Sequence, residues 1–167
     1  MKKALFAAAA AATVLVSAPA FAQDTKDIEV YGSLGYAHYD EDVGLGAIQG
    51  RLGARFHRYF GIEGEGAFGI TDDDVAGVDV ELNRQVAVYG VAFLPVGDSF
   101  DLIGRIGVGN TEIEVGGVDV DDDSVNYGLG AQWSWDEKNA IRGDWTRYDF
   151  DNGGDADVWS LAYVRRF

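Results

Sequence analysis

The sequence feature that most constrains the fold is a two-residue alternation between large apolar side chains and small, polar or charged ones. In residues 157–167 the large apolar positions are Trp159, Leu161, Tyr163 and Phe167. Successive side chains of a β-strand point to opposite faces, so these four residues share one face. The pattern therefore predicts a strand with one strongly apolar face, on which Arg165 is the single exception.

The same alternation recurs in eight stretches that are separated by turn-forming residues. The fourth stretch has apolar residues on both faces, so its orientation stays open. Because the stretches follow one another closely, the sequence predicts an all-β protein, an eight-stranded antiparallel up-and-down β-barrel. The predicted strands are residues 28–38, 46–56, 62–70, 82–94, 100–108, 125–135, 141–148 and 157–167.

Charged residues lie on the face opposite the apolar one. A hairpin centred on Tyr59 would place Arg55 opposite Glu63, and opposite charges facing each other across a strand pair attract. Such a face suits a soluble core only if every charge is paired, whereas a polar interior is normal in a transmembrane barrel. The sequence therefore predicts a transmembrane barrel with a paired charge network in its lumen. Its members would be Arg51, Arg55, Glu63, Glu65, Arg105, Arg142, Asp144 and Arg166.

The predicted connections alternate between two kinds. Those near Tyr59, Gly97 and Lys138 are short. Those at residues 40–44, 71–81, 110–124 and 149–157 are mostly longer and acidic. Bacterial outer-membrane barrels have this asymmetry, with short turns in the periplasm and longer loops outside the cell.

The N-terminus has the pattern of a secretory signal peptide. Lys2 and Lys3 precede an apolar run, and Ala20-Phe21-Ala22 forms a small-x-small cleavage site. We expect residues 1–22 to be cleaved and residues 23–167 to form the barrel domain. The formal net charge of −15 becomes −17 when the two lysines are removed. A protein with this net charge repels nucleic acid and attracts cations. The sequence contains no cysteine, so thiol chemistry is excluded.

Several stretches resemble the family of small OmpA/OmpX-type outer-membrane β-barrels, often described as porin-like. They are FGIEGEGAFG (60–69), VNYGLGAQWS (125–134) and RGDWTRYD (142–149). The resemblance implies residence in the outer membrane of a Gram-negative cell envelope, in contact with lipid and lipopolysaccharide. It also implies export with periplasmic chaperones and recognition by the barrel-assembly machinery. The terminal strand matches the family's assembly signal at Leu161, Tyr163 and Phe167, whereas Arg165 stands where the family usually has an aromatic or aliphatic residue.

An eight-stranded barrel is just wide enough for its own side chains to fill the interior. The sequence therefore favours a structural or surface-interaction protein without an open pore, and predicts no catalytic residue and no cofactor. A porin-like channel for small ions remains an alternative. A lipid A-modifying enzyme is another, but its triad would depend on His38 or His57, and Ser33 faces the opposite way from His38. The third alternative, a soluble lipocalin-like binder, would need an apolar interior.

The acidic connections could attract a hard divalent cation. Asp119, Asp121 and Asp123 offer oxygen ligands in one connection. The EF-hand spacing is incomplete, because the required glycine and the terminal bidentate glutamate are missing. A solvated, repulsive surface is the favoured interpretation, so these residues are weak metal candidates only.

Overall fold

The structure is a computed structural model that describes residues 28–40, 44–70, 73–75, 78–115 and 118–167. The signal peptide predicted at residues 1–22 lies outside this part of the chain. This part of the chain forms nine strands. Their bounds are β1 Glu29–Asp40, β2 Gly44–His57, β3 Phe60–Gly69, β4 Asp73–Val75, β5 Val78–Pro95, β6 Phe100–Val115, β7 Val118–Ser134, β8 Asn139–Phe150 and β9 Asp155–Arg166.

The nine strands form one closed antiparallel sheet. Strands that are neighbours in sequence pair with each other except β3 and β4, β1 pairs with β9, and β3 pairs with β5 over Phe60 to Ala67. The short β4 pairs farther along the same side of β5, so β3 and β4 are successive parts of one barrel strand. The prediction of an eight-stranded up-and-down barrel is therefore confirmed.

Most of the large apolar side chains point away from the barrel axis. Leu34, Leu52, Ile106 and Leu129 are each about two-thirds exposed, although they lie in the middle of strands. On β9, Trp159, Leu161 and Tyr163 are exposed while their neighbours Val158, Ser160, Ala162 and Val164 are buried. A lipocalin-like arrangement would have the opposite polarity. In the described ranges, no helix is long and apolar enough to cross a membrane.

Two of the predicted acidic loops are shorter than predicted, because their flanks continue the strands. Residues 110–124 continue the strands β6 and β7, which remain paired up to Val115 and Val118. Within residues 71–81, β4 and the start of β5 pair from Asp73–Val80 to Val75–Val78. The strands here are longer than predicted because runs of aspartate resemble loop residues in the sequence. We call this end the long-strand end, and the end that carries the turns at 58–59, 96–99 and 135–138 the short-turn end.

The structure settles the orientation of the fourth predicted strand, which corresponds to β5. Its residues Val86, Val88 and Leu94 face outward, whereas Gln85, Tyr89 and Phe93 face inward. The inward aromatic rings fill the lumen, which explains why both faces of this strand are apolar in the sequence.

The predicted pairing of Arg55 with Glu63 is wrong. The register shifts between Arg55 and His57, so that Arg55 pairs with Gly61 and Glu63 lies opposite Gly53. A β-bulge adds one residue to one strand and displaces the pairing from a simple count about the turn. The charged residue across from Glu65 is Arg51.

Candidate functional site: the charged lumen of the barrel

Six charged side chains meet inside the barrel, and each stands at an inward position of its strand. Because the side-chain period of a strand is two, the apolar outward residues force these alternate residues inward. All six side chains are at most 1% exposed. We call this set the ionic layer; it comprises Arg51 of β2, Glu63 and Glu65 of β3, Arg105 of β6, and Arg142 and Asp144 of β8.

Arg51 joins the two sides of the ionic layer. Its Nε donates to Glu65 Oε2 at 2.8 Å, and its Nη1 donates to Asp144 Oδ2 at 2.6 Å. Its Nη2 donates to Gln49 Oε1 and Ser160 Oγ at 2.8 and 3.0 Å. One guanidinium thus uses all its nitrogens in charge-assisted or polar hydrogen bonds, which fixes its position.

The other two arginines complete the pairing. Arg105 Nη1 donates to Glu65 Oε2 at 2.8 Å and lies 3.8 Å from Glu63 Oε2. Arg142 Nε donates to Asp144 Oδ1 at 2.8 Å, and its Nη1 donates to Glu63 Oε1. Each carboxylate therefore contacts two guanidinium groups.

Neutral side chains satisfy the remaining oxygens and guanidinium hydrogens of the ionic layer. The hydroxyl of Tyr31 donates to Glu63 at 2.7 Å, and those of Tyr89 and Tyr148 donate to Glu65 at 3.1 and 2.8 Å. Thr146 Oγ1 accepts from Arg105 at 2.7 Å. Sequence reasoning did not assign these partners, although their inward positions beside predicted lumen charges were the signal that could have identified them.

The ionic layer is electrically balanced, with three guanidinium groups and three carboxylates. Charges can be buried only when they are paired and hydrogen-bonded. The balance explains how a lumen can hold six ionised groups at such low exposure. Because every one of these groups is paired, the six side chains hold one another in place inside the barrel.

Two predicted members of the charge network, Arg55 and Arg166, lie elsewhere. Both face the lumen mouth at the short-turn end, where Arg55 Nη2 donates to Asp101 Oδ1 at 3.4 Å and Arg166 Nη2 lies 3.9 Å from Asp101 Oδ2. Arg166 Nε also lies 3.3 Å from Glu29 Oε1. Both are paired as predicted lumen charges, but at the lumen mouth and apart from the ionic layer, because they stand near the strand ends.

An apolar collar separates this mouth cluster from the ionic layer. It is made of inward side chains, among which Tyr31 and Phe93 pack edge to face with ring centroids 6.3 Å apart. The Arg55 guanidinium lies 4.3 Å from the centroid of the Phe93 ring. The collar comprises Tyr31, Val91, Phe93, Ile103, Ala140 and Val164, all at most 4% exposed.

The family comparison identifies the chain. Residues 8–167 match the outer membrane protein beta-barrel domain. The chain belongs to this family. It is an outer-membrane β-barrel protein, and the short-turn end is accordingly the periplasmic end. No curated protein sequence matches it.

Solved outer-membrane barrels share the fold. Ail of Yersinia pestis, solved in complex with the heparin analogue sucrose octasulfate, superposes with a TM-score of 0.65 at 18% identity, covering 84% of this chain and 99% of Ail. The N-terminal barrel domain of Pseudomonas aeruginosa OprF gives 0.66 at 10% identity, covering 83% and 97%. Neisserial surface protein A gives 0.55 at 9% identity, covering 84% and 96%. At these identities the likeness establishes the fold.

The residues at the two rims of the barrel mark the limits of its apolar band. At the periplasmic rim, Trp135 lies 6.1 Å from Trp133 and 6.0 Å from Tyr163, measured between ring centroids. Aromatic girdles of this kind flank the apolar band of outer-membrane barrels. At the outer rim, Arg84 pairs with Glu112 at 3.0 Å and Arg147 with Asp157 at 2.8 Å. These outward ion pairs mark the outer limit of the apolar band.

The remaining candidate residues do not assemble into a site. His38 and His57 are both exposed, and Ser33 faces the lumen, on the opposite side of β1 from His38. Asp123 accepts a hydrogen bond from Asn110 at 3.1 Å, and Asp121 is exposed. The Asp119 side chain lies outside the described part of the structure. Among the side chains that are described, no group of three His, Asp or Glu converges on a possible metal position.

Proposed function

We propose that this protein is a closed outer-membrane barrel with a structural or surface-interaction role, and that no open solute pathway crosses it. The balanced ionic layer carries this proposal. Arg51 reaches from β2 to Asp144 on β8, and Arg142 reaches from β8 to Glu63 on β3. Ion pairs thus cross the lumen in both directions at one level.

The collar below the ionic layer supports the same conclusion. An ion that passed the paired charges would next meet apolar side chains, where its hydration shell would not be replaced. Phe93 lies between Tyr31 and Arg55 and narrows the lumen at this level. Two successive barriers of opposite character therefore close the barrel.

Single-channel recording in planar bilayers tests the closed-barrel proposal. The protein is reconstituted after its folding is verified by heat-modifiable migration on a gel. We expect no steady conductance from the monomer. A stable, ohmic channel in the wild-type protein would favour the porin-like alternative instead.

The outer end of the barrel is the proposed interaction surface, and its charge indicates the class of partner. Ail was solved with a sulfated saccharide, but the outer end here carries mostly carboxylates, among them Asp40, Asp121, Asp149 and Asp151. Polyanions would be repelled by such a surface. We propose that this end associates with lipopolysaccharide phosphates through divalent cations. Retention on lipopolysaccharide vesicles should therefore require magnesium or calcium and be lost with chelator, whereas binding to heparin without added cations would contradict it.

Export and assembly complete the proposal. Residues 1–22 would direct secretion, so N-terminal sequencing of the mature protein should begin at Gln23.

The outward side chains of Leu161, Tyr163 and Phe167 are accessible to the assembly machinery, with Phe167 78% exposed. Phe167→Ala should lower the yield in the outer membrane, whereas Arg165→Ala, a change in the same segment, should not.

The same geometry supports the proposal of a non-enzymatic role. Among the described residues, neither histidine contacts a serine, and the buried carboxylates are held by arginines. Purified lipopolysaccharide incubated with the protein should therefore keep its mass. Loss or gain of an acyl chain would indicate a lipid A-modifying enzyme.

A further inference from the structure

The outward face of the barrel has a groove over three small residues. Gly90 and Ala92 lie on β5, and Gly104 of β6 pairs with Ala92. A Cβ atom at Gly90 or at Gly104 would have its nearest neighbour 3.9 or 4.0 Å away, so open space lies above both glycines. The groove has a volume of about 770 Å³, and its floor is made largely of backbone.

The strand register explains the walls of the groove. One row across the sheet, from β3 to β8, has two small residues in its middle and large apolar residues on both sides. It consists of Phe60, Ala92, Gly104, Leu129 and Trp145. The next row repeats this pattern, with Gly90 between Ile62 and Ile106. The outward side chains around the floor are therefore largely apolar and suit a hydrocarbon chain.

The groove spans the periplasmic half of the apolar band. It begins beside Phe56 and Phe60, which lie on either side of the turn at 58–59, and it extends to Ile106 and Leu129 in the middle of their strands. The apolar band of such barrels is about 25 Å tall, so a groove from the rim to mid-strand lies at the depth of one leaflet. In the outer membrane this periplasmic leaflet consists of phospholipid, whereas lipopolysaccharide occupies the outer leaflet.

Cationic and hydrogen-bonding groups stand at the periplasmic end of the groove. The ring centroid of His57, the residue after Phe56, lies 6.1 Å from that of Phe60. Its Nδ1 accepts from the Tyr59 amide at 3.3 Å, so Nε2 is left to donate. Arg58, which also lines the lumen mouth, is exposed and forms no ion pair with any carboxylate in the described part of the chain. An arginine without a carboxylate partner at this depth can bind a phosphate through charge-assisted hydrogen bonds.

The charge at this end of the groove disfavours a second copy of the chain as the occupant. Protein dimers are usually symmetric, and a twofold interface on this face would bring the turn at 58–59 near its own counterpart. Two Arg58 side chains would then approach and repel each other. The phosphate of a lipid headgroup has the opposite charge and attracts the same arginine.

We propose that the groove is a binding site for one phospholipid of the periplasmic leaflet. An acyl chain lies over Gly90 and Gly104, and the headgroup phosphate contacts Arg58 and His57. The site involves only the outward face and the periplasmic end of the barrel, so it is independent of whether the lumen is closed and of what binds the outer end. Bilayer recording, lipopolysaccharide retention and the tests below can therefore fail separately.

Photo-crosslinking tests the position of the acyl chain. The protein is reconstituted into vesicles of phosphatidylethanolamine and phosphatidylglycerol, the latter with a diazirine in its acyl chain, and the labelled peptides are mapped. We expect the labels of the wild type to concentrate on β5 and β6, and to fall several-fold there in Gly104→Leu, which fills the groove. Gly143→Leu should leave the labelling unchanged, because it adds the same side chain at an outward glycine of β8, where a Cβ atom would have its nearest neighbour 3.8 Å away. Labels spread evenly around the barrel, or equal labelling of the two variants, overturn the proposal.

Lipid retention tests the contact with the headgroup. Barrels are extracted from outer membranes in mild detergent, their folding is verified by heat-modifiable migration, and native mass spectrometry counts the lipids that each one carries. The wild type should keep one phospholipid, and Arg58→Ala should keep it several-fold less often. Lys138→Ala, which removes an exposed cation from another short turn, should match the wild type. The proposal is overturned by a wild type without phospholipid, by lipopolysaccharide in its place, by equal retention in all three proteins, or by a wild-type dimer that Gly104→Leu dissociates.

Discussion

Arg51 on β2 donates to Asp144 on β8 at 2.6 Å, although β1 and β9 lie between their strands in the sheet. Side chains of two strands separated in this way can contact each other only across the interior of a strongly curved, closed sheet. The bond therefore requires closure of the barrel, and it is also one of the contacts on which the proposal of a closed lumen rests.

The first prediction concerns this arginine. Arg51→Met removes the partner shared by Glu65 and Asp144 and leaves the ionic layer with one carboxylate in excess of its arginines. Breaking a buried ion pair on one side costs about 3–5 kcal/mol. Urea unfolding from lipid vesicles, followed by tryptophan fluorescence, should show a loss of this size.

Arg84→Met is the matched control, because Arg84 forms its 3.0 Å ion pair with Glu112 at the outer rim with its side chain 58% exposed. Exposed pairs contribute about 0–1 kcal/mol. Equal losses for the two variants would show that the ionic layer has no special part in stability.

The second prediction concerns depth in the membrane. Leu129→Arg places a charge in the middle of the outward face of β7 and should cost about 2–4 kcal/mol. Phe100→Arg places the same charge at the periplasmic start of β6, where the cost falls to about 0–1 kcal/mol. The free energies of unfolding in vesicles measure both, and a reversed order would be inconsistent with the proposed membrane position.

The third prediction concerns close backbone packing in the lumen wall. A Cβ atom at Gly107 would lie 2.0 Å from the carbonyl oxygen of Val88 and 2.8 Å from the Tyr89 ring. Gly107→Ala should therefore cost about 1–3 kcal/mol, in the range of overpacked cores. At Gly90, on the outward face, the nearest atom would be 3.9 Å away, so Gly90→Ala should be tolerated. Similar thermal midpoints for the two variants would contradict the packing described here.

The fourth prediction concerns pH and the periplasmic turn at 135–138. Hydrogen bonds from the Asn139 side chain and from the Lys138 and Asn139 amides lower the pKa of Asp136. A group with a lowered folded-state pKa stabilises the fold above its unfolded pKa, and this contribution is lost as pH falls through the folded pKa. Asp136→Ala should therefore reduce stability at neutral pH, and the difference from wild type should vanish in acid.

Glu137→Ala, which removes a second carboxylate from the same exposed turn, provides the control and should leave stability at neutral pH nearly unchanged. Unfolding midpoints measured across the acidic range distinguish the two variants. A loss for Asp136→Ala that stays constant down to strongly acidic pH would mean that the ionised carboxylate is not the stabilising form.

The parts of the fold that follow from local chemistry could be predicted. Alternation fixes which residues share a face, and so it identified the outward Trp159, Leu161 and Tyr163 and the inward Arg51, Glu65 and Asp144. The sequence also predicted which face of each strand points into the barrel, because so many charged side chains cannot form the core of a soluble protein. These inferences use only the period of a strand and the free energy of burying charge.

Features that depend on register or on contacts across the lumen could not be predicted. The bulge between Arg55 and His57 shifts the β2–β3 pairing by an amount that no turn count reveals. Asp119 to Asp123 extend a strand, although their composition is that of a loop. The bonds of Tyr148 and Tyr89 to Glu65 join β8 and β5 to β3, and only the curvature of the closed sheet brings these residues together.

Spin-label accessibility along β9 tests the central claim, the outward apolar face and the enclosed polar lumen, most directly. The chain contains no cysteine, so each residue from 159 to 164 can be replaced in turn by a labelled cysteine without background. The account predicts that lipid-soluble oxygen reaches labels at 159, 161 and 163 far better than labels at 160, 162 and 164. Uniform accessibility, or the opposite alternation, would contradict it.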